Sequence, residues 1–175
     1  MKRTIALLLL LSCASFLFAV VSASGTFNVT WNVSVAESSS LIILDPADTS
    51  QQLPSSGINY SKDIDFPDGS TKVAVAVVRF TTNAIGQYYM TFTATPFIQD
   101  ESRYGYDLYV NNTRVTVPSQ QENVSRSFNF SISKMSTFNK GVNTDYSLGI
   151  TLTSFDEIGE DSPSAVVTIE VGTQS

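Results

Sequence analysis

The sequence contains no histidine. That absence removes the usual general base, proton shuttle and neutral metal ligand. Ser-His-Asp and Cys-His chemistry are excluded with it. Cysteine is nearly as scarce, since Cys13 is the single one in the chain. No internal disulfide can form, and loss of the segment carrying Cys13 leaves no thiolate nucleophile and no cysteine metal site. Basic residues are also few. Ten Lys and Arg stand against 16 Asp and Glu, a net charge of −6. Such a surface repels phosphate backbones, so nucleic acid is not an expected partner. Helical periodicity is nearly missing from end to end.

What is present begins with the layout of an export signal. Lys2 and Arg3 form a basic start, Ile5 to Val21 is an almost unbroken apolar run, and Val21-Ser22-Ala23 supplies small residues at the cleavage position. Cleavage after Ala23 removes residues 1–23 as signal peptide and leaves 24–175 as one domain. The mature charge is then 16 acidic against 8 basic residues, because Lys2 and Arg3 are lost from the ten. The apolar run sits near the lower limit for crossing a bilayer. No basic cluster follows it, so no transmembrane helix is expected in the mature chain. Leu10-Leu11-Ser12-Cys13 offers a second reading, a lipoprotein box with Cys13 acylated. The hydrophobic stretch after Cys13 favours the cleaved signal. The expected location is secreted, periplasmic or at the cell surface.

Period-two alternation organises the rest. Phe27, Val29, Trp31, Val33 and Val35 face one way, and Asn28, Thr30, Asn32 and Ser34 the other. Leu41 to Leu44 is a short apolar strand closed by Asp45-Pro46, and Gln51 to Gly57 reads as loop. Lys72 to Thr82 is apolar at nearly every position, as in a strand covered on both faces or at the centre of a sandwich. Asn83-Ala84-Ile85-Gly86 predicts a hairpin joining it to Gln87–Thr95. Asn111-Asn112 suits a type I′ turn between Tyr104–Val110 and Arg114–Val117. Further strands are expected at Val124–Ile132, Tyr146–Leu152 and Ala165–Val171, and 134–143 has room for a turn of helix. Eight to ten short strands at this spacing predict a single all-β, immunoglobulin-like antiparallel β-sandwich.

Three constellations deserve weighing against plain structural roles. Two carboxylates suffice for a glycosidase, and Asp107, Glu122 and Glu170 are the candidates; none is marked by its context, and each is better read as a solvent-facing strand or loop residue. No enzyme activity is expected. Asp63, Asp65 and Asp68 precede Gly69 and resemble part of a calcium loop, with the acidic run at 156–161 as a second source of ligands. Tyr104, Tyr106 and Tyr109, with Tyr88 and Tyr89, form a set that could stack on sugar rings, as in a carbohydrate-binding module. Aromatics are also favoured in strands for packing alone. Asn-x-Ser/Thr occurs at Asn28, Asn32, Asn59, Asn111, Asn123 and Asn129. These are glycan acceptors only in a eukaryotic secretory context, and polar strand faces explain them as well.

The Phe27–Val35 strand starts just past the predicted cleavage point, so it forms the free end of the mature chain. Large apolar side chains at every second position can fill a row of pockets, either in the strand's own domain or in a neighbouring subunit. Together with Leu41-Ile42-Ile43-Leu44-Asp45-Pro46, the pair Phe80-Thr81-Thr82-Asn83 and Thr93-Ala94-Thr95-Pro96, and the final Ser164–Val171 strand, this layout resembles the pilin subunits of fimbriae. The similarity is to the disulfide-free, alternate (colonisation-factor) chaperone–usher class. The resemblance implies assembly with other copies or related subunits by strand exchange. Phe27–Val35 would be the donor strand, with Phe27, Val29, Trp31, Val33 and Val35 as its knobs. It implies a structural or adhesive surface role without a cofactor.

Overall fold

The computed structural model describes residues 26–35, 39–56, 59–67, 71–132, 142–153 and 162–174. The predicted signal, Cys13, Asp68, the acidic run at 156–161 and most of 134–143 lie outside the described residues. Two β-sheets pack face to face as a sandwich, with no helix among the described residues and hence none long enough to cross a membrane. The smaller sheet has the order β10 (Thr113–Val117), β9 (Tyr106–Val110), β12 (Val142–Leu152), β5 (Val73–Thr82) and β2 (Ser39–Leu44). The larger has the order β11 (Val124–Ile132), β6 (Gly86–Ala94), β13 (Ser164–Thr173), β1 (Thr26–Val35), β4 (Asn59–Asp65) and β3 (Ser55–Ser56). Two short strands, β7 (Phe97–Gln99) and β8 (Ser102–Tyr104), attach beside β13.

Alternation translates directly into layers. Phe27, Val29, Trp31 and Val33 are all at most 9% exposed, as are Val167, Ile169 and Val171 on the neighbouring β13. Met90 and Phe92 of β6 extend the same inner face. The opposing layer contributes Ile43, Val78, Phe80, Leu108, Leu148 and Ile150, so one continuous core fills the space between the sheets. Aromatic rings gather at one end of it: Phe27 lies 5.0 Å from Phe66 and 4.8 Å from Phe97, both edge-on.

One strand expectation needs correction, and two others gain detail. β5 and β6 do not form a hairpin, because β5 belongs to the smaller sheet and β6 to the larger. The turn between them crosses the sandwich. Ala84 N–H donates to Thr82 Oγ1 at 3.1 Å and Tyr88 Oη–H to Ala84 O at 3.1 Å, which pins the corner from both sides. The apolar run of β5 has a second cause besides coverage. A bulge opposite Leu148/Gly149 leaves Val75 without a partner of its own, so Val75 and Ala76 are both buried in the core. The antiparallel sandwich also contains one parallel pair, β1 with β13. Parallel neighbours need a long crossover, and here the crossover is the whole intervening chain.

Two turns show how small residues set the register. Asn111 has φ 53° while Asn112 is not in the left-handed region, so the β9–β10 turn is not type I′, which needs both. Asn111 instead clasps β12: its N–H donates to Ser147 O at 2.7 Å and its Oδ1 accepts from Ser147 N–H at 2.9 Å. The β6 strand stops at Thr95-Pro96, where proline has no N–H to offer the ladder. Thr95 Oγ1 fills in by accepting from Val166 N–H at 3.0 Å, and β7 resumes along β13.

The inner face of β1 is tightly specified, yet Trp31 Nε1 is buried with no hydrogen-bond partner among the described residues. Trp31→Ala should therefore cost about 3–5 kcal/mol through the cavity it leaves. Trp31→Phe should cost no more than about 2 kcal/mol, because it removes an unsatisfied donor along with part of the ring. Urea denaturation of the two variants checks the difference. A second prediction concerns β11, a nine-residue strand whose outer edge pairs with no strand among the described residues. Arg126 shares the inward side of the alternation with Phe128 but stays exposed at the sandwich rim, 5.6 Å from the Phe128 ring and donating to Arg114 O at 3.3 Å. An inward charge on an edge strand obstructs pairing with foreign strands. Arg126→Val should raise light scattering at matched concentration while barely moving the melting temperature.

Candidate functional site

The first strand is the best-defined candidate, and it lies within its own chain's sheet. On one side Val29, Trp31, Val33 and Val35 run beside Ala165, Val167, Ile169 and Val171 in parallel register. On the other, Phe27 and Trp31 stand opposite Ile64 and Tyr60 of β4 in antiparallel register. The two flanking strands thus wall a groove, and the side chains of Phe27, Val29, Trp31 and Val33 fill it. Backbone bonding reaches past the strand's end, with Asn28 N–H donating to Pro163 O at 2.9 Å. On the outer face Asn28 Nδ2 donates to Asp63 Oδ1 at 2.8 Å and Ser61 Oγ at 3.1 Å. Only residues 36–38 separate β1 from β2 in the opposite sheet.

The acidic candidates resolve differently from the calcium-loop reading. Asp63 and Asp65 belong to β4, a strand the loop reading passed over, rather than to a turn. Tyr60, Ile64 and Phe66 alternate inward and are buried, which puts Asp63 and Asp65 on the outer face. Asp63 is already bonded to Asn28, and among the described residues no three Asp or Glu side chains gather as a metal site. The alternation was visible in Tyr60-x-Lys62-x-Ile64-x-Phe66, but the aspartates masked it. A shallow cavity of about 380 Å³ opens beside this strand, with Lys62, Asp45, Leu53 and Pro54 in its wall. No aromatic ring lines it.

The carboxylates considered for hydrolysis are not brought together. Asp107 is buried at 4% exposure on β9, where it accepts from Thr116 Oγ1 at 2.7 Å and pairs with Arg114 at 2.8 Å. Glu170 points outward from β13 in the other sheet, and Glu122 is exposed in the loop after β10. Asp107 is thus a structural partner of a neighbouring strand.

The tyrosine set is also divided. Tyr104 and Tyr106 are buried in the core, 8% and 0% exposed, and cannot stack on a ligand. Both point inward because the chain changes sheets between them at Gly105. A side chain there would meet Thr153 Oγ1 at 2.8 Å and Ser119 N at 3.0 Å, so only glycine fits the corner. Tyr106 Oη–H donates to Thr95 O at 2.9 Å, and burial pushes its phenol far above the ordinary range. Tyr109 is half-buried with Lys72 Nζ 5.1 Å from its ring centre. Tyr88 is buried, whereas Tyr89 is 37% exposed.

Two further carboxylates beside these strands are held below their ordinary value of 3.8. At Asp45 the Ala47 backbone N–H, at 2.9 Å, does most, with Lys62 at 3.4 Å adding to it against desolvation. At Asp145 the cause is a two-pronged bond from Arg79, 2.8 Å on each oxygen. A carboxylate with a depressed folded pKa stabilises the fold above its unfolded value and loses that contribution as pH falls through the folded value. Both groups are partly exposed, so the effect is modest. Urea midpoints should stay level from about pH 7 to 5 and decline below about pH 4. The D45N/D145N double variant should decline less steeply over the acid range.

Neither the protein-family models nor the characterised proteins compared with this sequence include a match.

Proposed function

We propose that this is an exported, non-enzymatic surface protein with a structural or adhesive role, acting through β-strand pairing. One observation carries the reading: the strand nearest the start of the chain is a central strand of the larger sheet, held on both sides and filling the core with alternate side chains. A slot built this way can take the same sequence from a second copy, because the ladders with β13 and β4 and the core beneath are the same for either donor. Backbone bonds on two edges supply affinity, and the row Phe27, Val29, Trp31 and Val33 fixes the register. Each such side chain contributes roughly 1.5–3 kcal/mol on burial. A slip of one residue would turn the whole row to solvent.

The non-enzymatic reading is supported by the lack of histidine and by the isolation of Asp107 from the other carboxylates considered. Export is supported by the signal-like first 23 residues, and a fold without disulfides is consistent with Cys13 leaving with them. Placement in the periplasm, at the cell surface or in the medium follows from export. The partner in this reading is another copy of the chain or a related subunit.

Cross-linking separates pairing within a chain from pairing between chains. Asn32 and Thr168 are Cα partners across β1 and β13 and both point outward. The mature chain has no other cysteine, so N32C/T168C can form one bridge. Oxidation of the assembled variant should give a ladder of covalent multimers on a non-reducing gel. A single monomer band at every protein concentration would reject strand exchange.

A further inference from the structure

The outward face of the larger sheet carries a site that the strand-pairing reading does not use. Side chains on a sheet normally stand away from it, but Tyr89 leans over its neighbour. Its register partner on β13 is Gly172. A Cβ added at Gly172 would sit 2.5 Å from Tyr89 Cζ, so the far half of the ring lies where a residue-172 side chain would be. Glycine weakens a strand interior, and its presence there marks a close approach. What approaches is the ring. One side of it rests against the backbone of β13, while the residue stays 37% exposed.

Small hydrogen-bonding groups surround that ring. Asn129 of β11 is the partner of Tyr89 on its other side. In the next outward row Ser127, Thr91 and Glu170 stand side by side across β11, β6 and β13. Thr91 and Ser127 hydroxyls bond each other at 2.5 Å, which fixes their orientation and leaves each with further hydrogen-bonding capacity. An aromatic surface lying along a polar plane matches the two-sided chemistry of a hexopyranose. The C–H face of the sugar packs on the ring, and its hydroxyls reach the flanking Asn, Ser, Thr and Glu. Glu170 and the overall charge of −6 disfavour acidic sugars.

We propose that this face, centred on Tyr89, binds a neutral hexopyranose unit of a polysaccharide. It is independent of strand exchange, because β1 acts through the inner face of the sheet. Affinity electrophoresis of the whole mature protein tests it, using gels containing β-1,3-glucan, galactomannan or, as the acidic control, polygalacturonate. Retardation is expected in at least one neutral gel and not in the acidic one. Tyr89→Phe should keep binding within about threefold, and Tyr89→Leu, which still covers Gly172 but has no ring, should weaken it about tenfold. Thermal melts confirm that each variant is folded. Unretarded migration of the wild type in both neutral gels, preference for polygalacturonate, or undiminished binding by Tyr89→Leu would overturn the proposal.

Discussion

The parallel pairing of β1 with β13 ties the beginning of the chain to its end, and the larger sheet depends on it. β4 and β3 join that sheet only through β1, and β13 connects β1 to β6 and β11. Taking β1 away would open two edges at once and remove Phe27 and Trp31 from the middle of the core. Formation of the sheet therefore waits on a contact between residues some 136 positions apart, as in Val33 and Ile169. Loop closure over such a span is entropically expensive, and folds dominated by these contacts form slowly. Until the last strand arrives, the first can pair only with β4, and its other edge stays open. In the strand-exchange reading proposed above, that gap is where a strand from another chain competes for the same groove.

How β1 is held matters as much as where. Two of the buried side-chain polar atoms without a partner among the described residues, Trp31 Nε1 and Asn32 Oδ1, sit on adjacent residues of this strand. Among the described residues, the strand's side-chain hydrogen bonds lie on its outer face, chiefly Asn28 to Ser61 and Asp63. Retention of the strand thus rests on apolar burial and on backbone ladders. Those forces recognise shape and period more than identity. A groove held in this way distinguishes registers sharply and donors of the same pattern weakly.

The sequence made the strands legible because alternation with a buried face is a strong signal, and β1, β2, β11 and β13 fall close to where it puts them. It was weaker at saying which strand joins which sheet. Thr82 to Gly86 has the residues of a hairpin, and only the bonds from Tyr88 and Thr82 to Ala84 reveal a corner between layers. Such bonds depend on where distant side chains end up, which spacing cannot encode. β5 was apolar for two reasons that look alike in sequence, coverage and a bulge. β4 was hidden for the opposite reason, since its outward residues are aspartates whose density suggests a loop. The parallel pair of first and last strands lay beyond any local pattern.

The tyrosines show where residue type alone misleads and face decides. Tyr88 and Tyr89 are neighbours of identical chemistry, yet one is 3% and the other 37% exposed. Strand parity sends Tyr88 against Phe80 and Phe130 in the core, with ring centres 5.3 and 5.6 Å away, and Tyr89 to the outer face. Tyr104 and Tyr106 should share a face by the same parity, and they do, but it is the inner one, because Gly105 moves the chain between sheets. Each of the informative glycines, 105 and 172, is explained by what crowds it rather than by a turn. A glycine inside a strand pattern is thus the sequence mark of a close approach, and the group approaching Gly172 is an exposed ring that the sheet holds down rather than buries.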